Sequence, residues 1–162
     1  MKSKVLLPLT FITIGVTAVL SLLLNIGTSK EIVVTHEVIK PTFTIGIGIG
    51  TVRTFNIQIA VDGVSSTDNY LVGTLTTLAE GVKGNQELRS SNLIFVFGEE
   101  ANQIVLGGIS LYPAAGATLA VGAETIRPIT GGSGIYKGVT GQVVSKNLGA
   151  EGWSHVLQIQ LP

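Results

Sequence analysis

Residues 128–145 read Pro-Ile-Thr-Gly-Gly-Ser-Gly-Ile-Tyr-Lys-Gly-Val-Thr-Gly-Gln-Val-Val-Ser, a run in which glycine recurs at short intervals. Glycine adopts backbone conformations that a Cβ forbids, so this run is typical of tight connections and of strands that bend. We expect three of the glycines to take positive φ in a tight connection and the next two to mark bulges: in order, Gly131, Gly132 and Gly134, then Gly138 and Gly141. Between the two groups, Ile135 and Tyr136 predict a buried plug. The segment is therefore expected to build the fold rather than to carry chemistry.

The residues on either side of this run show the two-residue alternation of β-strands. The clearest case is 53–62, whose large apolar residues fall on one face: Phe55, Ile57, Ile59 and Val61. Further strands are predicted at 31–39, 70–78, 93–97, 103–111, 118–126, 139–146 and 153–161, with turns or loops at 63–69, 80–89 and 98–102. Residues 45–50 alternate isoleucine and glycine, as in a closely packed strand or a hinge. Seven or eight short strands spaced by about ten residues predict an all-β antiparallel barrel or sandwich.

The composition narrows the possible functions. The chain has 162 residues, of which 45% are hydrophobic and 12% charged, and its formal net charge is zero. This balance argues against intrinsic disorder and against a nucleic-acid partner, because few cations are available to neutralise phosphates. The absence of cysteine excludes a disulfide framework, a thiolate zinc site and a cysteine nucleophile. We find no motif for a nucleotide or other cofactor, and we expect none to bind.

The N-terminal segment, residues 1–29, has the pattern of a membrane-targeting leader. Lys2 and Lys4 precede residues 5–26, which carry no charge and match the roughly 20 residues that span a bilayer as a helix. This segment is a signal peptide or an uncleaved anchor; the other alternative is a buried helix. We expect the rest of the chain to be exported, and to be secreted, periplasmic or anchored to the membrane with the barrel outside. Residues 30–52 are then a linker with a possible first strand, and 53–162 form the barrel.

The glycine-rich run resembles the signature of allene oxide cyclases, in which Thr-Gly-Gly-Ser-Gly-Ile-aromatic leads through Gly-x-x-Gly-Gln-Val into a strand. Dirigent proteins share a looser form with the same glycine spacing. With the strands at 103–112 and 118–124, the resemblance covers about residues 90–148. It implies an eight-stranded antiparallel barrel, commonly a homotrimer, with an apolar cavity open at one end. It also implies that the cavity binds an apolar small molecule and directs its cyclisation or stereoselective coupling, because orientation alone lowers the barrier for such reactions.

One departure from the resemblance bears on the activity. Allene oxide cyclases place a glutamate on an early strand to stabilise developing positive charge, and the alignment puts Gln58 at that position and Ala60 where the family has an asparagine. A neutral amide cannot offset charge as a carboxylate does. The sequence thus leaves two alternatives: a cyclase-like or dirigent-like barrel with isomerase activity, or a non-catalytic barrel that binds an apolar ligand or a partner chain.

Five polar residues are candidates for the cavity. Asn56 and Gln58 share one strand face, which either lines a cavity or is solvated. Asp62 is either a pocket acid or a turn residue, since it precedes a glycine. Tyr112 either places its hydroxyl at the barrel mouth or packs in the core, and Arg127 is either a pocket charge or a surface charge.

The sequence predicts neither a metal site nor a hydrolase-type catalytic triad. His36 and His155 are far apart in the sequence, and neither has a second ligand at metal-binding spacing, so no metal site is predicted. We find no Ser-His-Asp pattern and no nucleophile elbow. Trp153 is expected to be a packing residue.

Overall fold

The computed structural model describes residues 27–113 and 117–162, and β-strands make up most of them. The strands are β1 (Thr28–His36), β2 (Phe43–Ile45), β3 (Val52–Val61), β4 (Val64–Val82), β5 (Gln86–Phe97), β6 (Glu99–Pro113), β7 (Glu124–Gly132), β8 (Thr140–Asn147) and β9 (Trp153–Leu161). Two short 3₁₀ turns, Gly134–Tyr136 and Gly149–Glu151, connect the last three strands.

The strands form one antiparallel sheet that closes on itself. Their order is β1-β9-β8-β7-β6-β5-β4-β3-β2, and β1 also pairs with β3, with Val34 opposite Val61. This pairing joins eight strands into a closed barrel, and the three-residue β2 extends the sheet outside it by pairing with β3. The predicted eight-stranded antiparallel barrel is confirmed, and the sandwich alternative is wrong because the sheet is continuous. Closure also pairs the edges that an open sheet would expose.

The interior of the barrel has an apolar end and a polar end. The apolar end is filled by fully buried side chains from several strands, such as Phe95, Ile32, Leu106, Val143 and Leu157. Along β5 the inward-facing residues change from apolar to polar: Phe97, Phe95 and Leu93 are followed by Ser91, Arg89 and Glu87. Removing these apolar side chains from water stabilises the fold at the apolar end. At the polar end, the side chains leave part of the barrel interior unfilled.

Most predicted strands match the structure, and four predictions are wrong. Residues 98–102, predicted as a turn or loop, belong to β6 from Glu99 onward. Residues 80–89, predicted as a loop, form the end of β4 and the start of β5, and residues 63–69, predicted as a turn, belong mostly to β4. The strand predicted at 118–126 begins only at Glu124. The polar residues at 80–89 indicated solvent, but Glu87 and Arg89 point into the barrel and are only 3% exposed. A strand with paired charges on its inner face has the composition of a loop.

The glycine-rich run builds the connection between β7 and β8, as predicted in general but not in every detail. Gly134 (φ +59°) and Gly141 (φ +134°) take the left-handed or extended positive-φ conformations that favour glycine. A Cβ on Gly134 would clash with the backbone of Ala101, and one on Gly141 would clash with the carbonyl of Gln158. These two positions therefore require glycine.

Other details of that prediction are wrong. Gly131 and Gly132 lie in β7 without positive φ, and Gly138 (φ +79°) lies in the turn before β8 rather than in a bulge. The β8–β9 register passes through Gly141 without a shift, so no bulge occurs there either. Tyr136 is buried and packs against the ring of Phe97, with 5.1 Å between ring centroids. Ile135 is 68% exposed, because the 3₁₀ turn directs only one of the two side chains inward.

The barrel includes residues on the N-terminal side of position 53. β1 begins at Thr28, two residues inside the segment predicted as the leader, and continues into the segment predicted as a linker with a possible first strand. It pairs with β9 along its whole length, from Thr28 opposite Leu161 to His36 opposite Trp153. The predicted leader falls largely on residues 1–26, outside the described residues. Within the part of the chain that the structure describes, no helix has the length and hydropathy needed to cross a bilayer.

Candidate ligand-binding site

A cavity of about 190 Å³ lies at the polar end of the barrel. Its apolar walls come from Ile39, Pro41, Phe55, Leu71, Leu75, Leu93 and Trp153. Its polar groups belong to His36, Arg53, Arg89, Tyr112, Arg127 and His155. Ala117 and Thr118 also line the cavity and are exposed, so they mark its mouth. Apolar walls with a few convergent polar groups are the usual composition of a small-molecule site.

Three arginines, which we call the arginine cluster, line this cavity: Arg53, Arg89 and Arg127. Glu87 lies beside two of them. Its Oε2 accepts a hydrogen bond from Arg89 Nε at 2.7 Å and a second one from Arg89 Nη2, and it lies 4.0 Å from Arg53 Nη2. Arg53 also donates from Nη1 to Thr77 Oγ1 at 3.0 Å. Burial and the neighbouring Arg89 guanidinium lower the pKa of Arg53 from its usual value.

Alternation along β5 explains this ion pair. Glu87 and Arg89 are two residues apart, so both side chains project from the inner face of the strand. The Arg89 guanidinium also lies over the ring of Tyr112, which faces it from β6, at 4.3 Å from the ring centroid. This cation–π contact and the ion pair fix the position of Arg89. Arg89 is therefore a rigidly held part of the cavity wall.

Arg127 has fewer partners than the other two arginines. It is 3% exposed, and its Nη2 donates to the hydroxyl of Tyr112 at 2.7 Å. Its Nε is buried and has no hydrogen-bond partner among the described residues. A guanidinium carries five N–H donors, and leaving one buried without an acceptor is costly. The site thus contains a cation with a buried donor that no described residue satisfies.

Two histidines meet at the wall of the cavity through the pairing of β1 with β9. His36 Nε2 lies 2.9 Å from His155 Nε2, His36 Nδ1 lies 2.7 Å from the carbonyl oxygen of Glu37, and His155 Nδ1 lies 2.8 Å from Ser145 Oγ. A carbonyl only accepts, so His36 carries its proton on Nδ1. His155 then donates from Nε2 to His36, and Ser145 donates to His155 Nδ1. This assignment satisfies every group with both rings neutral.

Burial keeps both imidazoles neutral. It lowers the pKa of His155 well below the usual value, with additional contributions from His36 and Arg127, and it also lowers the pKa of His36. A second proton on His36 would go to Nε2 and place two N–H groups against each other at the 2.9 Å contact. A second proton on His155 would go to Nδ1, where Ser145 Oγ would have to accept instead of donate. His155 is also held by the rings of Trp153 and Phe95, at 6.2 and 5.3 Å between centroids. The histidine pair is therefore a fixed, neutral part of the cavity wall.

The structure brings together two of the five predicted site residues. Tyr112 and Arg127 both line the cavity and hydrogen-bond to each other. Asn56 and Gln58 are exposed on the outer face of β3, beside Thr67 in a shallow surface depression, and they do not line the cavity.

Asp62 is also outside the cavity. It takes positive φ (+48°) in the turn between β3 and β4, and its Oδ1 accepts a hydrogen bond from Val33 N at 3.0 Å. Its position matches the alternative of a turn residue.

Sequence reasoning did not select four of the polar residues that line the cavity: His36, Arg53, Arg89 and His155. It also did not select Glu87, which pairs with Arg89. One signal was available for the pair on β5. Opposite charges two residues apart in a strand share a face, and Ser91 continues that face into the apolar run of Leu93 and Phe95. No local signal joins the histidines, because 119 positions separate them. In the described ranges, 27–113 and 117–162, no group of three or more His, Cys, Asp or Glu side chains could hold a metal ion.

Comparison with known proteins gives matches among solved structures. No protein-family model matches the sequence, and no curated protein matches it. A pyocyanin demethylase is 17% identical with a TM-score of 0.57, over 82% of this chain and 99% of that one. The pterocarpan synthase dirigent protein GePTS1 is 13% identical with a TM-score of 0.55, over 83% and 87%. The Diels Alderase AbmU from Streptomyces koyangensis is 13% identical with a TM-score of 0.58, over 98% and 84%.

Because the sequence identities are only 13–17%, these matches show similarity of fold alone. The three proteins differ in their named activities, so the common element is the barrel itself. Together with the closed eight-stranded sheet, they show that this chain has the fold of the dirigent-like β-barrels.

Proposed function

We propose that the barrel binds a small, largely apolar molecule in its interior cavity and directs its cyclisation or stereoselective coupling. The observation that carries this proposal is the cavity at the polar end, with apolar walls, fixed polar groups and an exposed mouth at Ala117 and Thr118. A barrel whose interior is packed solid has no room for a substrate. Here only one end is packed, and the other keeps about 190 Å³, more than the 150 Å³ or so that holds a benzene molecule.

In this proposal the barrel promotes the reaction by restricting the conformations of the bound substrate and does not use a nucleophilic side chain. A flexible reactive molecule held against Leu71, Leu93 and Phe55 retains few conformers, which lowers the entropic part of the barrier to ring closure. The hydroxyl of Tyr112 and the guanidinium groups are fixed by their contacts, so they need no reorganisation to stabilise charge that develops in the transition state. The neutral histidine pair adds a wall that excludes water.

The second candidate function is a non-catalytic barrel that only binds the apolar molecule. The ion pair of Glu87 with Arg89 favours it, because this carboxylate is committed to a guanidinium and is less able to offset positive charge on a substrate. Gln58, which the resemblance aligned with the family's glutamate, lies on the outer surface. Ligand binding is common to both candidates, and only a product assay separates them.

The binding test uses native mass spectrometry of the full-length chain, purified in mild detergent. We expect a discrete small molecule to co-purify with the wild type and to be lost in Ala117→Trp, which fills the mouth of the cavity from an exposed position. Ala120→Trp is the matched control: it is the same substitution three residues along, at an exposed residue that does not line the cavity, and it should retain the ligand. Equal occupancy in both variants would place the ligand elsewhere.

The catalytic test offers polyunsaturated epoxides and phenolic radicals to the same three proteins, with product stereochemistry measured by chiral chromatography. An enantiomeric excess that Ala117→Trp abolishes and Ala120→Trp retains supports the cyclase-like or dirigent-like function. Racemic product from the wild type, together with retained ligand, supports the non-catalytic barrel.

Assembly and location are further proposals. We propose that the barrel is exported and tethered or released through residues 1–29, and that it assembles as a homotrimer. The exposed isoleucines of the outer wall, Ile109 on β6 and Ile126 on β7, support assembly because they present apolar surface to solvent. Light scattering on the full-length chain and fractionation of the native cells would test these two points.

A further inference from the structure

The cavity contains more positive than negative charge. Its lining includes the three guanidinium groups of the arginine cluster. Among the described residues, the carboxylate within ion-pair distance of these groups belongs to Glu87, which lies beside Arg53 and Arg89. All ten acidic residues of the chain lie within the ranges 27–113 and 117–162, so the rest of the chain has no carboxylate side chain to add. One carboxylate against three guanidinium groups leaves two positive charges without a counter-charge.

Of the three arginines, Arg127 is the best placed to bind a charged ligand. Its side chain lines the cavity and is only 3% exposed, and its Nε–H has no acceptor among the described residues. The partners it does have, the Tyr112 hydroxyl and the neutral His155 nearby, bring no negative charge. A buried cation that is neither ion-paired nor fully hydrogen-bonded is unfavourable, and an anionic partner would supply both the missing acceptor and the missing negative charge.

The geometry therefore points to an anion subsite inside the proposed ligand cavity: we infer that the ligand is an amphiphilic organic acid whose carboxylate binds Arg127, with Arg53 as the second cation. A planar guanidinium matches a carboxylate through two parallel N–H···O bonds. The apolar body of the acid then lies against Leu71, Leu93 and Phe55 at the inner wall. The cavity of about 190 Å³ suits a body about the size of one ring. This inference rests on the proposed function, since it names the class of molecule that the same cavity binds.

The test compares an acid with its neutral isostere. 3-Phenylpropanoate and 3-phenylpropanamide have the same shape and differ in charge, and Trp153, the single tryptophan of the chain, lines the cavity and reports their binding by fluorescence. The titrations use the full-length chain in mild detergent and phosphate-free buffer. We expect the wild type to bind the acid at least about 10-fold more tightly than the amide, which corresponds to about 1.4 kcal/mol.

Variants show where the preference originates. Arg127→Gln should remove the acid preference and change the affinity for the amide by less than about threefold. Lys146→Gln is the matched control, because it removes one positive charge at an exposed pair with Glu124 outside the cavity, and it should keep the preference. If Arg127→Gln does not fold, Arg53→Gln provides the same comparison from the edge of the cavity, where the side chain is 13% exposed.

The outcomes separate this inference from the proposed function. Equal binding of acid and amide by the wild type overturns the anion subsite and leaves the apolar cavity standing. An acid preference that survives in both arginine variants also overturns it, since the anion then binds elsewhere. Binding of neither molecule overturns the subsite together with the proposed function.

Discussion

Glu87 and Arg89 form a buried ion pair across two residues of β5, with Arg89 Nε 2.7 Å from Glu87 Oε2 and both residues 3% exposed. The pair faces the interior of the barrel, where an apolar core would otherwise continue. Transferring two charges from water is expensive, and a pair of this kind repays the cost only when its hydrogen bonds are well formed. The pair lies at the end of the barrel where the packed core ends and the cavity begins.

Neutralising the carboxylate should destabilise the fold strongly. Glu87→Gln leaves the guanidinium groups of Arg53 and Arg89 without their counter-charge, and breaking a buried pair in this way costs about 3–5 kcal/mol. Urea unfolding followed by circular dichroism measures the loss. Glu124→Gln is the control, because it removes a carboxylate from an exposed pair with Lys146 and should cost about 0–1 kcal/mol. Similar losses in the two variants would contradict the structural role of the buried pair.

The hydroxyl of Tyr112 should stabilise the protein through Arg127. Tyr112→Phe removes the acceptor of the hydrogen bond from Arg127 Nη2 and leaves a second buried donor without a partner, at a cost of about 1–3 kcal/mol. The same unfolding measurement applies. Tyr70→Phe, at a half-buried tyrosine away from this cavity, should stay within about 0.5 kcal/mol of the wild type. An unchanged Tyr112→Phe would mean that water or an anion already serves Arg127.

The histidine pair should make the protein less stable as the pH falls. Burial lowers the pKa of both His36 and His155 in the folded state, so between the unfolded pKa of about 6.5 and these lower values the unfolded chain binds more protons than the folded one. The free energy of unfolding is therefore unaffected by these groups above about pH 7 and decreases as the pH falls below about 6.5. Unfolding curves at pH 7.5, 6.5 and 5.5 would show this slope.

A double variant isolates the histidine contribution. His36→Asn with His155→Gln removes both imidazoles, so its free energy of unfolding should be nearly independent of pH from 7.5 to 5.5. Carboxylates begin to titrate only at lower pH and do not interfere in this range. A wild type whose stability is flat over the same interval would show that the rings are not held neutral.

The glycine-rich run provides a test at two positions of the same motif. Gly141→Ala places a Cβ at φ +134° and against the carbonyl oxygen of Gln158 on β9, and we expect a loss of at least about 1–3 kcal/mol. Gly131→Ala adds a Cβ in open space without positive φ and should change stability by less than about 1 kcal/mol. Thermal unfolding of the two variants checks the difference. Equal losses would mean that backbone geometry and steric contact do not explain the requirement for glycine at position 141.

The sequence by itself determined the all-β class and most of the strands. Alternation of Phe55, Ile57 and Ile59 with polar residues correctly predicted the strand β3 and its apolar face, because apolar side chains in a half-buried strand share the face that leaves water. It left open whether the opposite face, with Asn56 and Gln58, lined the cavity. The glycine-rich run indicated the barrel through its resemblance to the allene oxide cyclase signature, and the structure explains two of its glycines, because positive φ and close backbone contacts at Gly134 and Gly141 admit only glycine. Such information is local, and a linear pattern can carry it.

Only the tertiary structure decided where the candidate site lies. His36 and His155 meet because β1 pairs with β9, and Arg127 reaches Tyr112 because two strands bring their inner faces to the same end of the barrel. Glu87 and Arg89 resembled loop residues because charge is normally a mark of solvent, and their burial depends on each other and on partners from other strands. Contacts between residues far apart in the chain are set by strand pairing and closure. That is why the sequence could predict the barrel and could not predict most of the residues that line its cavity.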